Sequence, residues 1–207
     1  MTQTTESEAL SMYLKEGTKA IHDQLDHSIM QLNPFADTAS YQGFLRMQLR
    51  LHSASEAVYQ DKQINNLISG AHQRSRLNAV LQDCKDLNIS TDLLQIDHKK
   101  GQEVSINGVY AGLGWLYTIE GSNLGAAILL KHVKNSLGFS ETFGARHMTA
   151  HADGRAAHWR EFRALLDNLM LTDPQKKQAL DAAKQAFHFV TKSVDQIMSI
   201  NIKEVAG

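Results

Sequence analysis

Ten histidines are many for a chain of 207 residues, and His22 is the one with the clearest chemical context. Thr18, Leu25 and Ile29 follow helical spacing around it, so a helix would place His22 on the same face and point it inward. Asp26 lies one turn further on, where its carboxylate can reach back to the imidazole ring. A metal-bound histidine commonly gives its second ring N–H to a carboxylate. Periodicity alone favours a core histidine with satisfied hydrogen bonds, while the Asp26 pair points to a ligand.

A second signal is the number of glycines in the most apolar segment, namely Gly108, Gly112, Gly114, Gly121 and Gly125. Each costs a helix about 1 kcal/mol relative to alanine. Gly121 and Gly125 share a helical face, so the backbone there can lie against a flat partner. Close helix–helix packing is one explanation, but the five glycines, with Ser122 and Asn123 between the last two, favour a bound planar ligand. A dinucleotide site is excluded, because the third glycine of its motif and the preceding strand are missing.

Other metal sites fail on spacing. His147 and His151 are four residues apart, but the glutamate that accompanies such a pair in a metalloprotease helix is missing between them. The Glu-x-x-His pairs of di-iron bundles do not occur in the sequence either. The histidines therefore offer no protein-ligated metal centre by spacing alone.

Three lysines lie on the helices that carry these residues. Lys15 and Lys19 precede His22, and Lys131 follows the glycine run. They are ordinary solvated charges unless a planar ligand lies between the two helices. At the rim of such a ligand, they could pair with its carboxylates.

The elements that must position these residues are helices. Apolar periodicity, caps and breakers predict helices over 8–29, from Thr38 or Ser40 to about 59, one or two within 64–87, then 109–137, 155–169 and 173–200. Residues 88–107 are the least periodic and are predicted to be loop with short helix. Asp173 is predicted as the N-cap of the last helix, with Pro174 at its first position. No convincing alternating strand is seen, so the predicted class is all-α.

Composition limits the possible functions. The length and the 43% hydrophobic content predict one domain over 1–207, with a disordered tail over 1–7. The net charge of −1 argues against nucleic acid and anionic membranes as partners. A single cysteine, Cys84, fits a reducing compartment, and we expect a cytoplasmic protein. Val109–Leu130 has the length of a membrane span, but Glu120 and four glycines favour a buried helix.

These residues coincide with a known pattern. The run Leu14-Lys15-Glu16-Gly17-Thr18-Lys19-Ala20-Ile21-His22 resembles the opening helix of the heme (haem) oxygenases, and Glu120-Gly121-Ser122-Asn123-Leu124-Gly125-Ala126-Ala127 resembles the distal helix of their bacterial branch. Further blocks of that branch are similar to Asn33-Pro34-Phe35, Phe143-Gly144-Ala145-Arg146-His147 and Gly154-Arg155 with Trp159. The resemblance spans roughly residues 10–169 and implies an all-α fold with heme sandwiched between a proximal and a distal helix.

The resemblance also assigns residues. His22 becomes the axial ligand of the heme iron, and Asp26 takes a position usually held by glutamate. Gly121, Ser122 and Gly125 form the catalytic distal face, where Ser122 replaces the aspartate of mammalian members. Water and backbone groups would therefore deliver protons. Heme contacts are also implied for Tyr117 and for Lys15, Lys19 and Lys131, the last three facing the propionates.

The implied function is oxidative cleavage of heme, which is both substrate and cofactor, to biliverdin, CO and ferrous iron for iron acquisition. The sequence carries no flavin or NAD motif, so the electrons for O2 activation should come from a separate ferredoxin, flavodoxin or reductase. We expect a monomer. The alternatives are a heme-binding chaperone or store without turnover, and a helical scaffold without a ligand.

Replacing His22 tests the ligand assignment. We expect His22→Ala to abolish turnover and to perturb the absorption spectrum of the heme complex, because an axial imidazole sets the electronic state of the iron. Normal activity with an unchanged spectrum would remove His22 from this role.

Overall fold

The computed structural model describes the backbone of residues 9–205 and the side chains of residues 9–199. Its eight α-helices are α1 Leu10–Gln31, α2 Thr38–Gln60, α3 Lys62–Leu67, α4 Leu77–Asp86, α5 Thr91–Gln102, α6 Val109–Leu137, α7 Arg155–Asp167 and α8 Asp173–Val205. Two short 3-10 helices occupy Ala71–Arg74 and Arg146–Met148. Residues 9–205 form no β-strand, which confirms the all-α class. The predicted tail over 1–7 lies outside the described residues, and the single domain stays a prediction.

The centre of the fold is the pair formed by α6 and α8. Residues 111–120 of α6 are all buried, whereas the second half of the helix is largely exposed along one side. Gly114 lets the two helices touch, because a Cβ added there would overlap the backbone carbonyl oxygen of Ala179. On the other side of α8, a Cβ at Gly17 of α1 would lie 2.5 Å from Leu180 Cδ1. Helix α8 thus supports both helices that carry the predicted site.

Helix α5 corrects the prediction of loop with short helix over 88–107. Its exposed side carries apolar residues, while its buried positions include a charge, Asp97. The Asp97 carboxylate accepts hydrogen bonds from Arg46 Nε at 2.6 Å and from Arg50 Nε at 2.7 Å, both on α2. Gly101 lies directly against the backbone of α2. Because ion pairs and a glycine contact hold this helix, its sequence lacks the apolar periodicity used to recognise one.

The helix ends differ slightly from the prediction. Asp37 caps α2 by accepting a hydrogen bond from the backbone N–H of Ser40 at 2.7 Å, so neither Thr38 nor Ser40 is the N-cap. Helix α8 already includes Asp173 as its first residue, so that Asp173 is not the N-cap either. Helix α6 has the predicted bounds and ends at Gly138, whose φ of +71° is left-handed.

Among the residues that the structure describes, no helix combines the length and the apolarity needed to cross a bilayer. Glu120, which interrupts the apolar part of α6, is buried inside the protein.

The α6–α8 contact makes a prediction about stability. We expect Gly114→Ala to lower the free energy of unfolding by about 1–3 kcal/mol, because the added methyl group forces two helix backbones apart. Gly125→Ala on the same helix is the matched control, since nothing lies within 4 Å of its Cβ position. That variant should be unchanged or stabilised by up to about 1 kcal/mol. Urea denaturation measures both, and equal stabilities for the two variants would contradict the packing role of Gly114.

Candidate active site

His22 lies on α1 at the edge of the buried stripe. Leu14, Thr18 and Leu25 form that stripe, whereas the side chain of His22 is 51% exposed. The expectation that it faces inward as a core histidine is therefore wrong. The reason is the position of His22 around the helix axis. The buried stripe is centred on Leu14 and Leu25, and His22 lies at the edge of that stripe. The imidazole is anchored on one side and open on the other.

Two carboxylates and one aromatic ring surround the His22 imidazole. Its Nε2 lies 3.4 Å from Asp26 Oδ2, and its Nδ1 lies 3.8 Å from Asp23 Oδ1. The ring of Phe187, on α8, meets it edge to face with centroids 5.6 Å apart. A carboxylate next to either ring nitrogen can hold the N–H there and leave the opposite nitrogen with a free lone pair.

The glycines of α6 divide into two groups. A Cβ at Gly112 would press on Ile64 and Val58, and Gly114 lies against α8, so both serve helix packing. Gly108 precedes α6 with a φ of +91°, a conformation that favours glycine. For Gly108, Gly112 and Gly114, the prediction that the glycines make room for a planar ligand is therefore wrong.

Gly121 and Gly125 belong to the open part of α6. A Cβ at Gly121 would have Trp159 as its nearest neighbour at 3.6 Å, and one at Gly125 would meet nothing within 4 Å. Ile128, one turn further along, is 66% exposed. Leu124, on the same helical face, is 39% exposed, so two apolar side chains flank the glycines. A contiguous exposed apolar patch is typical of a surface that takes a ligand.

The remaining predicted residues of α6 lie around these glycines. The Ser122 hydroxyl donates a hydrogen bond to the backbone oxygen of Ile119 at 2.7 Å, so its proton is already used within the helix. Tyr117 is buried and packs on Trp159, with ring centroids 5.7 Å apart. Tyr117 therefore contacts the Trp159 ring, and that ring in turn lies next to Gly121.

The three lysines are exposed, as rim residues would be. Lys19 Nζ is paired with Asp23 Oδ2 at 2.7 Å, and this pairing raises the pKa of Lys19. Within the part of the chain that the structure describes, neither Lys15 nor Lys131 forms an ion pair. These two are therefore better placed than Lys19 to bind an added carboxylate.

Sequence reasoning missed a buried acid directly before Gly121. Glu120 accepts hydrogen bonds from Tyr59 Oη at 2.8 Å and from Arg74 Nη1 at 3.2 Å. Burial raises the pKa of the Glu120 carboxyl, while Arg74 and Tyr59 act in the opposite direction. The signal in the sequence is a single charge in a long apolar segment, because a carboxylate buried there needs hydrogen-bond partners from other elements.

A second missed group surrounds His147. Its Nδ1 lies 2.7 Å from Oδ2 of the buried Asp83, so Nδ1 donates a hydrogen bond to that carboxylate. Within the described part of the chain, three buried atoms here lack a hydrogen-bond partner: His147 Nε2, His52 Nδ1 and Arg76 Nε. Arg76 also donates to the backbone oxygen of His147 at 3.2 Å. Burial lowers the pKa of His52 to about 3, so that its ring stays neutral.

The donor set and the surface shape fit heme. The half-exposed imidazole of His22 would supply a nitrogen ligand to the heme iron, and a helix without side chains at Gly121 and Gly125 can approach a flat macrocycle. Helices α1 and α6 contact each other directly, and both rest on α8. Apolar Ile128 suits the porphyrin, and exposed Lys15 and Lys131 suit its carboxylates.

Comparison with known proteins decides the family. The family model described as heme oxygenase matches residues 8–196, which is most of the chain. The chain belongs to the heme oxygenase family. A curated relative, heme oxygenase PigA of Pseudomonas aeruginosa, is 30% identical over 186 residues, covering 90% of this chain and 91% of PigA.

Solved heme oxygenases show the same fold. The NO- and CO-bound heme oxygenase of Neisseria meningitidis is 34% identical with a TM-score of 0.83, over 93% of this chain and 94% of that one. Heme oxygenase-1 of the cyanobacterium Synechocystis, solved in complex with heme, has a TM-score of 0.75 at 20% identity, covering 96% of both chains. The protein is therefore a heme oxygenase by family and by fold.

The neutral His52 makes stability depend on pH. A histidine whose pKa is lowered in the folded state contributes stability above its unfolded pKa, and this contribution is lost as pH falls from about 6.5 towards 3. We expect His52→Gln to reduce the slope of unfolding free energy against pH in this window by up to about 1.4 kcal/mol per pH unit. The exposed His188→Gln is the control and should keep the slope of the original protein. Equal slopes in all three proteins would show that His52 is protonated in the folded state.

Proposed function

We propose that this heme oxygenase converts heme, O2 and electrons from a separate donor into biliverdin, CO and ferrous iron. The observation that carries the proposal is the family match over residues 8–196, together with His22 on α1 and the bare surface at Gly121 and Gly125 on α6. Heme cleavage requires an iron ligand on one face of the heme and free space for O2 on the other, and these residues would provide both. When bound, heme supplies the iron for O2 activation and the porphyrin carbon that is oxidised.

On the proximal side, His22 would hold the heme iron through one ring nitrogen. Asp26 Oδ2 lies 3.4 Å from His22 Nε2 and can accept the N–H of whichever ring nitrogen does not bind iron. If that nitrogen is Nδ1, the ring must first rotate. Asp23 is less suited to this task, because it is already paired with Lys19. The edge contact with Phe187 limits how far the imidazole can tilt.

On the distal side, Gly121 and Gly125 leave the iron face free of side chains. Gly121 and Gly125 would thus leave room for a small ligand of the heme iron next to the helix backbone. The Ser122 hydroxyl is turned to the Ile119 carbonyl, so it offers acceptor lone pairs while its proton stays within the helix. Proton delivery consequently needs other groups.

The unpartnered atoms around His147 supply such groups. His52 and His147 are buried and Arg76 is half-buried, and each has a buried nitrogen without a hydrogen-bond partner. The same holds for Nδ2 of half-buried Asn123, between the two glycines of α6. Buried polar atoms are normally satisfied, and ordered water is the usual partner where protein offers none. We infer that waters held here connect Asn123 with His147 and Asp83. This chain of donors and acceptors would bring protons to the distal face.

The proposal also covers the residues that bind the propionates, the electron donor, the cellular compartment and the oligomeric state. Exposed Lys15 and Lys131 hold the propionates, since neither forms an ion pair with another described residue. No flavin or nicotinamide motif was recognised in the sequence, so an external ferredoxin, flavodoxin or reductase delivers the electrons. With one cysteine, buried Cys84, the chain fits a reducing cytoplasm, where released iron serves iron acquisition. We propose that the enzyme acts as a monomer.

Turnover of bound heme tests the proposal. We expect the heme complex, given a reductant and air, to lose its Soret band and to gain the absorption of biliverdin. Gly125→Leu should bind heme through His22 yet turn over at least about tenfold more slowly, because its side chain occupies the oxygen site. Ala127→Leu is the matched control on the opposite side of α6 and should keep the original rate. Absorption spectra and CO release measure these rates.

The outcomes separate the alternatives. A Soret band that persists in the unmodified protein would identify a heme-binding store instead of an enzyme. Failure to bind heme at all would support a helical scaffold.

A further inference from the structure

A cluster of potential metal ligands lies at the start of α7, outside the proposed heme-binding residues. One ring nitrogen of His158 and one carboxylate oxygen each of Asp153 and Glu161 lie within 4.8 Å of one another. His158 Nδ1 is 3.7 Å from Asp153 Oδ1. His158 and Glu161 are three residues apart on the same helix, so they project from one face. One imidazole and two carboxylates form a donor set that first-row divalent metals accept.

The charges around the cluster allow a cation to enter. Arg74 Nη2 is paired with Glu161 Oε2 at 2.7 Å, and Arg76 Nη2 lies 2.6 Å from His151 Nε2. These two positive charges oppose a metal ion. Three carboxylates lie around the cluster, those of Asp153, Glu161 and Glu120, so the negative charges outnumber the two arginines. Glu120 Oε2 is 3.8 Å from His158 Nε2. Glu161 keeps its second oxygen for a ligand.

The cluster connects the distal helix with solvent. On its inner side His158 adjoins Glu120, the residue that precedes Gly121. Its sequence neighbour Trp159 lies against Gly121 itself. On its outer side, the Glu161 side chain is 63% exposed. The cluster is thus one layer of side chains away from the proposed distal face and is open to the outside.

We propose that Asp153, His158 and Glu161 form a transient binding site for divalent iron, the metal that heme cleavage releases. The identity of the ion rests on the proposed function, whereas the existence of a divalent metal site does not. Iron is bound here as Fe2+ and leaves as Fe2+, so no electron is transferred. Three protein ligands, two of which are exposed carboxylates, give weak, exchangeable binding, which a transit site needs. The His151 ring stacks on the His158 ring with centroids 3.4 Å apart and thereby restricts the motion of His158.

Binding of Mn2+ to the heme-free protein tests the site directly. We expect electron paramagnetic resonance of free Mn2+ to show one site in the unmodified protein, with Fe2+ competing for it under anaerobic conditions. His158→Ala and Asp153→Asn should each weaken Mn2+ binding at least about tenfold. His188→Ala, which removes an exposed histidine from α8, is the matched control and should bind as the original does. No Mn2+ binding at millimolar concentration, or equal binding in all four proteins, would overturn the site.

Iron release during turnover tests its use. With a ferrous chelator present, we expect the rate of iron release relative to biliverdin formation to fall at least about threefold in Asp153→Asn and to be unchanged in His188→Ala. An unchanged ratio in Asp153→Asn would show that iron leaves by another route. If the unmodified protein forms no biliverdin, the proposed function fails, and the Mn2+ titration still decides whether the metal site exists.

Discussion

The contact between α6 and α8 at Gly114 is the constraint on which the rest of the structure depends. It lets two helix backbones meet without intervening side chains, so that residues 111–120 are buried. The second half of α6 continues from this fixed base into the open. Because a helix is stiff over its length, fixing one half fixes the direction of the other. Gly121 and Gly125 are therefore presented as a rigid surface.

Helix α8 gives the same support to the proximal side. Leu180 fills the space that a side chain at Gly17 would need, and Phe187 contacts His22. One helix thus orients both proposed faces of the site. A ligand between α1 and α6 would be held by two elements with a common base, which suits a reaction that depends on orientation.

Two buried carboxylates, those of Glu120 and Asp83, are each held by several hydrogen bonds. Glu120 is held by Tyr59 and Arg74, and Asp83 is held by His147 and its neighbouring backbone. Such groups are costly to bury, and the cost is tolerable only where each charge has partners. The unused nitrogens of His52 and His147 nevertheless lie within this region. A polar interior next to a bare helix face supports a function in moving protons.

The sequence by itself determined the helices that carry an apolar stripe, including the bounds of α6, and the family, because the runs around His22 and Gly121 are characteristic short motifs. It could not determine α5, whose contact with α2 depends on Asp97, Arg46 and Arg50 rather than on apolar spacing. The resemblance assigned Gly121 and Gly125 to the distal face, but composition and spacing did not show that Gly114 packs against α8 while nothing lies against Gly125. The tertiary structure decided these points and brought Glu120, His147 and Asp153 to their partners. Helical periodicity is a local property, whereas burial and charge pairing depend on which distant segments meet.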